Sequence, residues 1–288
     1  MNQQIRQGAK FLLIGELLIA LLAAVVRHLS ADLSTEQILF FRNFLGLLAL
    51  VPLILRSGLN ELKTNNIMGH ITRGLIGVTA MYCYFWTLAH IPLTEAFLVK
   101  LSAPLFMPIF AYLWLKEPAH KLNLIALVIG FGGVLTILSP NLGEDAQADW
   151  PVIALWIGLL GAVLMALSKI AIRSMAAGET SQRIVFYYAL ISTLITLPGA
   201  ILNWQPIPNE AWWWLIGLGI IASGGQLALT KGYRTAPTGA IGVYAYTAVI
   251  YGALLGWLFW GEIPLWTTWL GAALIISAGL LNLRAKEN

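Results

Sequence analysis

The sequence has little charge for its length. Only 10% of its 288 residues are charged and 59% are hydrophobic, whereas a soluble domain carries roughly 25% charged residues. This composition leaves no room for a soluble enzyme or binding domain. The net charge of +4 comes from basic residues scattered over short connections, so we expect no nucleic-acid partner.

The residues that build catalytic and metal sites are also scarce or dispersed. The single cysteine, Cys83, cannot form an internal disulfide. The four histidines fall at the ends of separate apolar runs, so no metal cluster or catalytic triad is expected. Glycine-rich nucleotide loops are absent, because Ser223-Gly224-Gly225 lies within an apolar run. We therefore expect no enzyme and no cofactor.

Long apolar runs make up most of the chain. About 20 apolar helical residues cross a bilayer core roughly 30 Å thick, and continuous runs favour helices over a barrel. The sequence therefore predicts an all-α membrane protein with ten transmembrane helices. The predicted helices cover residues 11–30, 37–56, 69–89, 94–115, 121–138, 152–173, 183–202, 211–231, 237–260 and 266–284.

Basic and aromatic residues predict the orientation of these helices. With a cytoplasmic N-terminus, thirteen Lys and Arg residues lie on the inner side, and only Arg27 lies near the outer one. Eleven of the twelve tryptophans then fall at or near the outer interface. We therefore expect a multi-pass protein of a bacterial inner membrane, in contact with the lipid bilayer, with both termini cytoplasmic.

The chain also contains an internal repeat. The run from Ile38 to Phe44, followed by Pro52, recurs 146 residues later from Ile184, followed by Pro198. At an offset of 145, Pro92 and Glu117 recur as Pro237 and Glu262. We predict two repeats, residues 1–140 and 148–288. Because each holds five helices, an odd number, the second must be inverted relative to the first, the arrangement typical of alternating-access transporters.

Several short motifs resemble those of the EamA domain of the drug/metabolite transporter superfamily. The matching residues are Arg73-Gly74-Leu75, Tyr82–Trp86, His90–Ala96, Pro104 and Leu115–Pro118 in the first copy, and Gly232–Pro237, Ala240 and Trp260–Glu262 in the second. The resemblance implies ten helices around a central cavity that carries solutes such as amino acids, nucleotide sugars, riboflavin, S-adenosylmethionine, polyamines or drugs. One departure is Val249, which stands where the first copy has Pro104.

A few charged residues fall inside the predicted spans, where charge is costly unless it serves a function. Glu16 is a candidate for proton or cation coupling, and the alternative is a structural ion pair with Lys169. Lys100 is a candidate for binding a substrate carboxylate or phosphate, together with Ser102 beside a helix-breaking Pro104. Arg42 could bind the same kind of group with its bidentate fork, but we expect it to extend to the outer surface, towards Glu36 or Glu95.

Aromatic and amide side chains offer further recognition groups. Tyr82, Trp86, Gln226 and Tyr244 are the predicted substrate-binding members of a larger set of intramembrane polar residues. Gly252 and Gly256 form a GxxxG pair, which indicates close helix packing within the chain or in a homodimer.

These features predict a secondary transporter or facilitator for a small organic metabolite, working by alternating access in the export direction. An uptake or exchange carrier of the S-adenosylmethionine or riboflavin type is the alternative. A non-transporting scaffold or a protein that handles lipid head groups is the alternative from another class.

Overall fold

The computed structural model describes residues 3–116, 121–139, 150–175, 178–235, 244 and 247–284. Within these residues the chain is all-helical, as predicted, with eleven α-helices and a 3₁₀ helix over Leu59–Leu62. The α-helices are α1 (Gln3–Leu29), α2 (Thr35–Ser57), α3 (Ile67–His90), α4 (Leu93–Lys100), α5 (Ala103–Leu115), α6 (Lys121–Leu138), α7 (Val152–Met175), α8 (Ser181–Leu202), α9 (Ala211–Thr235), α10 (Thr247–Trp260) and α11 (Trp266–Arg284).

Local sequence signals set the boundaries of α2 and α3. The Ser34 hydroxyl accepts a hydrogen bond from the backbone N–H of Gln37, whose side chain accepts one from the Ser34 N–H. This reciprocal capping satisfies two N–H groups that the first helical turn leaves free. Gly58 ends α2 with a φ of +88°, which glycine adopts without steric cost. Asn66 then caps α3 by accepting from the Gly69 N–H.

Most helices are apolar enough to lie in a bilayer. Among the described residues, α1, α2, α7, α8 and α9 each contain a run long and apolar enough to span it, and α4 with α5 would form a sixth, broken span. Shorter apolar stretches occupy α6, α10 and α11. Large apolar side chains cover the outside of the bundle, such as Leu202 at 83% exposed and Trp213 at 79%. This is the surface of a multi-pass membrane protein.

The predicted helix over residues 94–115 is interrupted, which corrects the sequence-based boundary. Helix α4 ends at Lys100, Leu101 and Ser102 form a turn, and α5 begins at Ala103. Pro104 lies in the first turn of α5, where a proline is tolerated because its missing N–H has no helical acceptor. The interruption places Lys100 and Ser102 at a helix end within the bundle. The predicted helix over residues 237–260 is described as α10 from Thr247 to Trp260, and residues 236–243 and 245–246 lie outside the described residues.

Helices of the first half pack mainly on helices of the second half. Helix α1 packs on α9, and the corresponding contact with the two halves exchanged is that of α3 with α7. In the same way, the contact of α2 with α9 corresponds to that of α3 with α8. The contact of α1 with α10 corresponds to that of α5 with α7. Three further contacts join equivalent helices of the two halves: α2 with α8, α4 with α10 and α6 with α11. The core therefore lies between the two halves, where Leu12, Phe85 and Phe97 are among the largest fully buried side chains.

Candidate functional site

An acidic and a basic side chain meet inside the bundle. The Glu16 Oε2 atom on α1 lies 3.8 Å from the Lys100 Nζ atom at the end of α4. The Glu16 side chain is 9% exposed and that of Lys100 is 20% exposed. We call these two residues the central pair. Because charges are costly in a low-dielectric interior unless compensated, each side chain stabilises the other in this position.

Local features of three helices place the central pair. Gly15, next to Glu16, lets α1 approach α9 closely, since a Cβ atom there would lie 2.6 Å from Leu229 Cδ2. Lys100 is the last residue of α4, where the free carbonyl groups of the helix end attract a cation.

Aromatic rings and unsatisfied polar atoms surround the central pair. Lys100 Nζ lies 5.2 Å from the ring centre of Phe97 and 5.8 Å from that of Tyr84, which is within cation–π range. The Tyr84 hydroxyl, the Ser102 hydroxyl and Glu16 Oε2 are buried without a hydrogen-bond partner in the described part of the chain. Buried polar atoms normally have partners, so these three indicate a place for a ligand or for water.

Lys169 on α7 makes the net charge of the site positive. It influences Glu16 electrostatically together with Lys100, but its side chain is exposed. The ion pair within 4.0 Å is formed by Lys100, so the alternative structural pair of Glu16 with Lys169 is not observed. One carboxylate and two ammonium groups leave one positive charge uncompensated, which suits a ligand that brings a carboxylate.

Two predicted residues of α3 lie on a different face from the central pair. The Tyr82 hydroxyl lies next to Gly199 and the Glu36 side chain, at the α2–α8 contact. Trp86 stacks on His90 with ring centres 3.8 Å apart. Tyr82 and Trp86 are four residues apart and share one face, whereas Tyr84 lies roughly opposite.

Tyr84 is the site residue that the sequence prediction left out. The buried positions of α3 include Gly77, Ala80, Tyr84 and Leu88, a spacing of three to four residues that marks one helix face. Small residues at the start of this stripe indicate a closely packed face. This signal, available in the sequence, favours Tyr84 over Tyr82 as the inward-facing tyrosine.

The other predicted residues divide between two places. Tyr244 packs against the cluster of Ala9 and Leu12 on α1, as Leu229 does. Gln226 lines a separate cavity, which it shares with Arg42 and Tyr188.

Two sequence-based expectations about packing are settled by these contacts. The expected extension of Arg42 to the outer surface is wrong, because Arg42 is 7% exposed and donates to Asn43. A Cβ atom on Gly252 would overlap the Phe97 ring, so this part of the GxxxG pair packs inside the chain. The homodimer stays a prediction without support from this pair.

An ion pair links the two halves near the end of α1, on the side of the bundle where α2 begins. Arg27 Nη1 lies 2.5 Å from Glu262 Oε1 and donates to the Ile91 carbonyl at 3.0 Å. The second Glu262 oxygen accepts from the Leu93 N–H at 3.0 Å. Burial raises the pKa of Glu262, and the Arg27 guanidinium and the Leu93 N–H only partly offset this. We call this contact the Arg27–Glu262 bridge.

A second link between the halves lies beyond the C-terminal end of α2, which is Ser57. Glu179 accepts from the Thr64 hydroxyl at 2.5 Å and pairs with Arg183 Nη1 at 2.9 Å. Arg183 Nε also donates to the Glu61 carbonyl at 2.6 Å. Burial alone would raise the pKa of Glu179, but the hydrogen bonds from Thr64 and Arg183 and the neighbouring positive charges lower it below its usual value. We call this contact the Glu179 cluster.

Comparison with known proteins identifies the family. The pattern of the EamA-like transporter family matches residues 6–139 and again residues 152–284. The chain belongs to this family. Its two family segments therefore account for nearly all of the sequence, and the contacts described above are contacts between two EamA segments.

Characterised relatives of this EamA chain are transporters by name. It is 30% identical to the pseudopaline exporter CntI of Pseudomonas aeruginosa, over 98% of both chains. It is 26% identical to a riboflavin transporter of Vibrio cholerae, over 94% of this chain and 90% of that one. An S-adenosylmethionine uptake transporter of Rickettsia felis is 29% identical, over 91% and 87%. These names describe transporters and not enzymes.

A solved crystal structure shows the same fold. It matches with a TM-score of 0.66 at 18% identity, covering 96% of this chain and 98% of the other. At this identity the likeness concerns the fold alone. The arrangement of helices described here is thus one that a known protein adopts over its full length.

Proposed function

We propose that this protein is a secondary transporter that exports a small zwitterionic metabolite, such as an amino acid, across a bacterial inner membrane. The observation that carries the proposal is the central pair, with unsatisfied polar atoms around it. The exporter CntI, similar over nearly the whole chain, supports the direction, and the family match supports transport.

The substrate class follows from the charges of the central pair. A zwitterionic solute carries an ammonium and a carboxylate a few ångströms apart. Its ammonium can replace Lys100 at Glu16, while its carboxylate binds Lys100 and Lys169. The exchange places the ammonium and the carboxylate of the solute each beside an opposite charge and leaves the net charge of the site unchanged, so the solute avoids the cost of a lone buried ion. The Tyr84 hydroxyl, which lacks a partner among the described residues, supplies a further donor.

The proposed architecture is ten transmembrane helices in two inverted repeats, with α4 and α5 together forming one broken span. The reciprocal packing supports it: α1 on α9 corresponds to α3 on α7 when first and second copies are exchanged. An inverted pair has two equivalent arrangements, each open to one side. Both termini should then lie on the cytoplasmic side.

The two inter-half contacts suggest how access alternates. The Arg27–Glu262 bridge and the Glu179 cluster lie near opposite ends of α2, which is 23 residues long, or about 34 Å at 1.5 Å per residue. An opening at either end must break the contact at that end while the other holds. We therefore propose these contacts as the two gates, and Glu16 with Lys169 as the groups that would exchange a proton in a coupled cycle.

Counterflow in proteoliposomes tests the substrate proposal. Vesicles loaded with an amino-acid mixture should exchange labelled amino acids, and S-adenosylmethionine, riboflavin and polyamines serve as alternative solutes. We expect Lys100→Gln to lower the flux at least tenfold, and Arg56→Gln, which alters an exposed arginine on α2, to leave it unchanged. Exchange of riboflavin or polyamines in preference to every zwitterion would contradict the proposed substrate class.

A second experiment tests coupling. If Glu16 exchanges protons, a pH gradient should accelerate wild-type flux, and Glu16→Gln should lose this acceleration. Unchanged gradient-dependent flux in Glu16→Gln would rule out the coupling role of this residue without affecting the transport proposal.

A further inference from the structure

Two buried arginines converge on one tyrosine, on a different part of the bundle from the central pair. Arg42 on α2 is 7% exposed and Arg73 on α3 is 6% exposed. Their guanidinium carbons lie 5.9 Å and 4.1 Å from the ring centre of Tyr188 on α8. Arg73 precedes Tyr84 by eleven residues on α3, or about 16 Å at 1.5 Å per residue. We call Arg42 and Arg73 the arginine pair.

The charge of the arginine pair is not balanced within the described part of the chain. Neither guanidinium has a described carboxylate within 4.0 Å. Arg42 Nη1 donates to Asn43 Oδ1 at 2.6 Å, but Nε of both arginines and Nη1 of Arg73 have no partner there. Two buried like charges with unused donors are unfavourable unless an opposite charge joins them.

The arginine side chains do not extend to the membrane interface, where water would solvate their charge. Arg42 lies seven residues after the start of α2, and Arg73 six after the start of α3. Arginines near a helix end usually extend to the nearer interface. The Arg73 guanidinium instead lies beside Gly77, one turn further into α3, where a Cβ atom would overlap its Nη1. Gly77 thus provides the space that this position requires.

A small cavity adjoins Arg42. It has a volume of about 20 Å³ and is lined by α2, α8 and α9, including Arg42, Asn43, Tyr188, Ser223 and Gln226. A cavity needs roughly 10–15 Å³ to hold one water molecule, so this one accepts a group of that size. An entire amino acid does not fit, which separates the cavity from the transport site proposed above.

We propose that the arginine pair binds one compact monovalent anion between α2, α3, α8 and α9. A halide ion or a small carboxylate meets the requirements, because it supplies the missing negative charge and accepts from the free guanidinium N–H groups. Binding there joins helices of both halves. The site is additional to the proposed transport site and uses none of its side chains.

Chloride and formate are suitable probes of this site in the full-length protein. Thermal unfolding is followed in purified protein as chloride or formate replaces gluconate at constant ionic strength, with no transported solute present. The melting temperature should rise and saturate with at least one of the two anions, because a ligand of the folded state stabilises it. Saturation by chloride alone assigns the site to halides, and saturation by formate alone assigns it to carboxylates.

Variants show whether the arginine pair is responsible. We expect Arg42→Gln and Arg73→Gln each to lower the anion affinity at least tenfold, while Arg56→Gln, an exposed arginine on α2, keeps the wild-type value. Should both variants fail to fold, bromide in crystals of the wild-type protein should give an anomalous peak between the two guanidiniums. Absence of any saturable anion effect in the wild type, equal affinity in the variants, or bromide bound only elsewhere would overturn the proposal.

Discussion

Two groups of buried charge in this protein differ in whether the charge is compensated within the chain. The central pair combines Glu16 and Lys100, 3.8 Å apart, so most of its charge is compensated within the chain. The arginine pair places two cations around Tyr188, without a described carboxylate in reach. A compensated pair can persist without a ligand and release its charges when one arrives. An uncompensated pair needs an anion from outside, and the two groups therefore call for different experiments.

The largest expected effect comes from removing one member of the central pair. Lys100→Gln removes the one ion-pair partner described within 4.0 Å of Glu16 and leaves only the more distant Lys169, which should lower the free energy of unfolding by about 3 kcal/mol. The double variant Glu16→Gln/Lys100→Gln removes both charges and should recover most of that loss. Reversible unfolding in mixed micelles measures both values. A double variant no more stable than the single one would mean that the pair does not account for the loss.

A methyl group added next to the arginine pair should have the next largest effect. In Gly77→Ala the new Cβ would overlap Arg73 Nη1 and lie 2.8 Å from Tyr188 Cε2, and such overpacking typically costs about 1–3 kcal/mol. Gly132→Ala is the matched control, because a Cβ there has no neighbour within 4 Å and alanine favours a helix by about 0.5–1 kcal/mol. Unfolding curves that show equal stability for the two variants would contradict the assigned packing.

In the Glu179 cluster, unlike the central pair and the arginine pair, both carboxylate oxygens accept hydrogen bonds from side chains. Glu179→Gln should cost about 1–2 kcal/mol at pH 7, since hydrogen bonds to charged groups are lost. Because the folded-state pKa of Glu179 is lowered, its stabilising effect is present above the usual pKa and is lost as pH falls through the lowered one. The stability difference from the wild type, measured between pH 7 and pH 3, should therefore stay constant and then shrink below about pH 4.5. A difference that grows on acidification would contradict this.

The smallest effect on stability is expected for Lys169, the exposed neighbour of the central pair. Lys169→Gln should change the free energy of unfolding by no more than about 0.5 kcal/mol, as exposed substitutions usually do. Its effect should appear instead in transport, as a severalfold weaker apparent affinity for a solute with a carboxylate. Competition of the labelled zwitterion with the matched amide, which keeps the ammonium and lacks the carboxylate, should reveal it. An unchanged affinity would remove Lys169 from the proposed site.

The sequence predicted the class of this protein better than the details of its site. Apolar runs sufficed to predict an all-helical membrane protein, and the short motifs that resemble the EamA domain indicated the family. Which residues face inward was harder, because helices that are apolar all round carry little periodicity to distinguish their faces. Tyr82 and Tyr84 differ by about 200° around α3. The small residues that share a face with Tyr84 are a weak sequence signal for the inward side, and the contact with Lys100 shows that Tyr84 lies there.

Charged partners were also hard to predict, since they depend on contacts between distant segments. The sequence suggested Lys169 as the partner of Glu16, and the break after α4 brings Lys100 to it instead. The inward turn of Arg73 depends on the space at Gly77 and on Tyr188 from the other half. No local pattern contains this information.

The packing of α1 on α9 has a consequence for biogenesis. Helix α9 begins at Ala211, so at roughly 5–20 residues per second a ribosome needs on the order of ten to forty seconds after finishing α1 to supply its main neighbour. During that time Glu16, Arg42 and Arg73 sit in newly inserted helices whose final partners have not been made. Until then the insertion machinery or water must compensate these charged side chains. A chain truncated before Ala211 should therefore be degraded by membrane proteases.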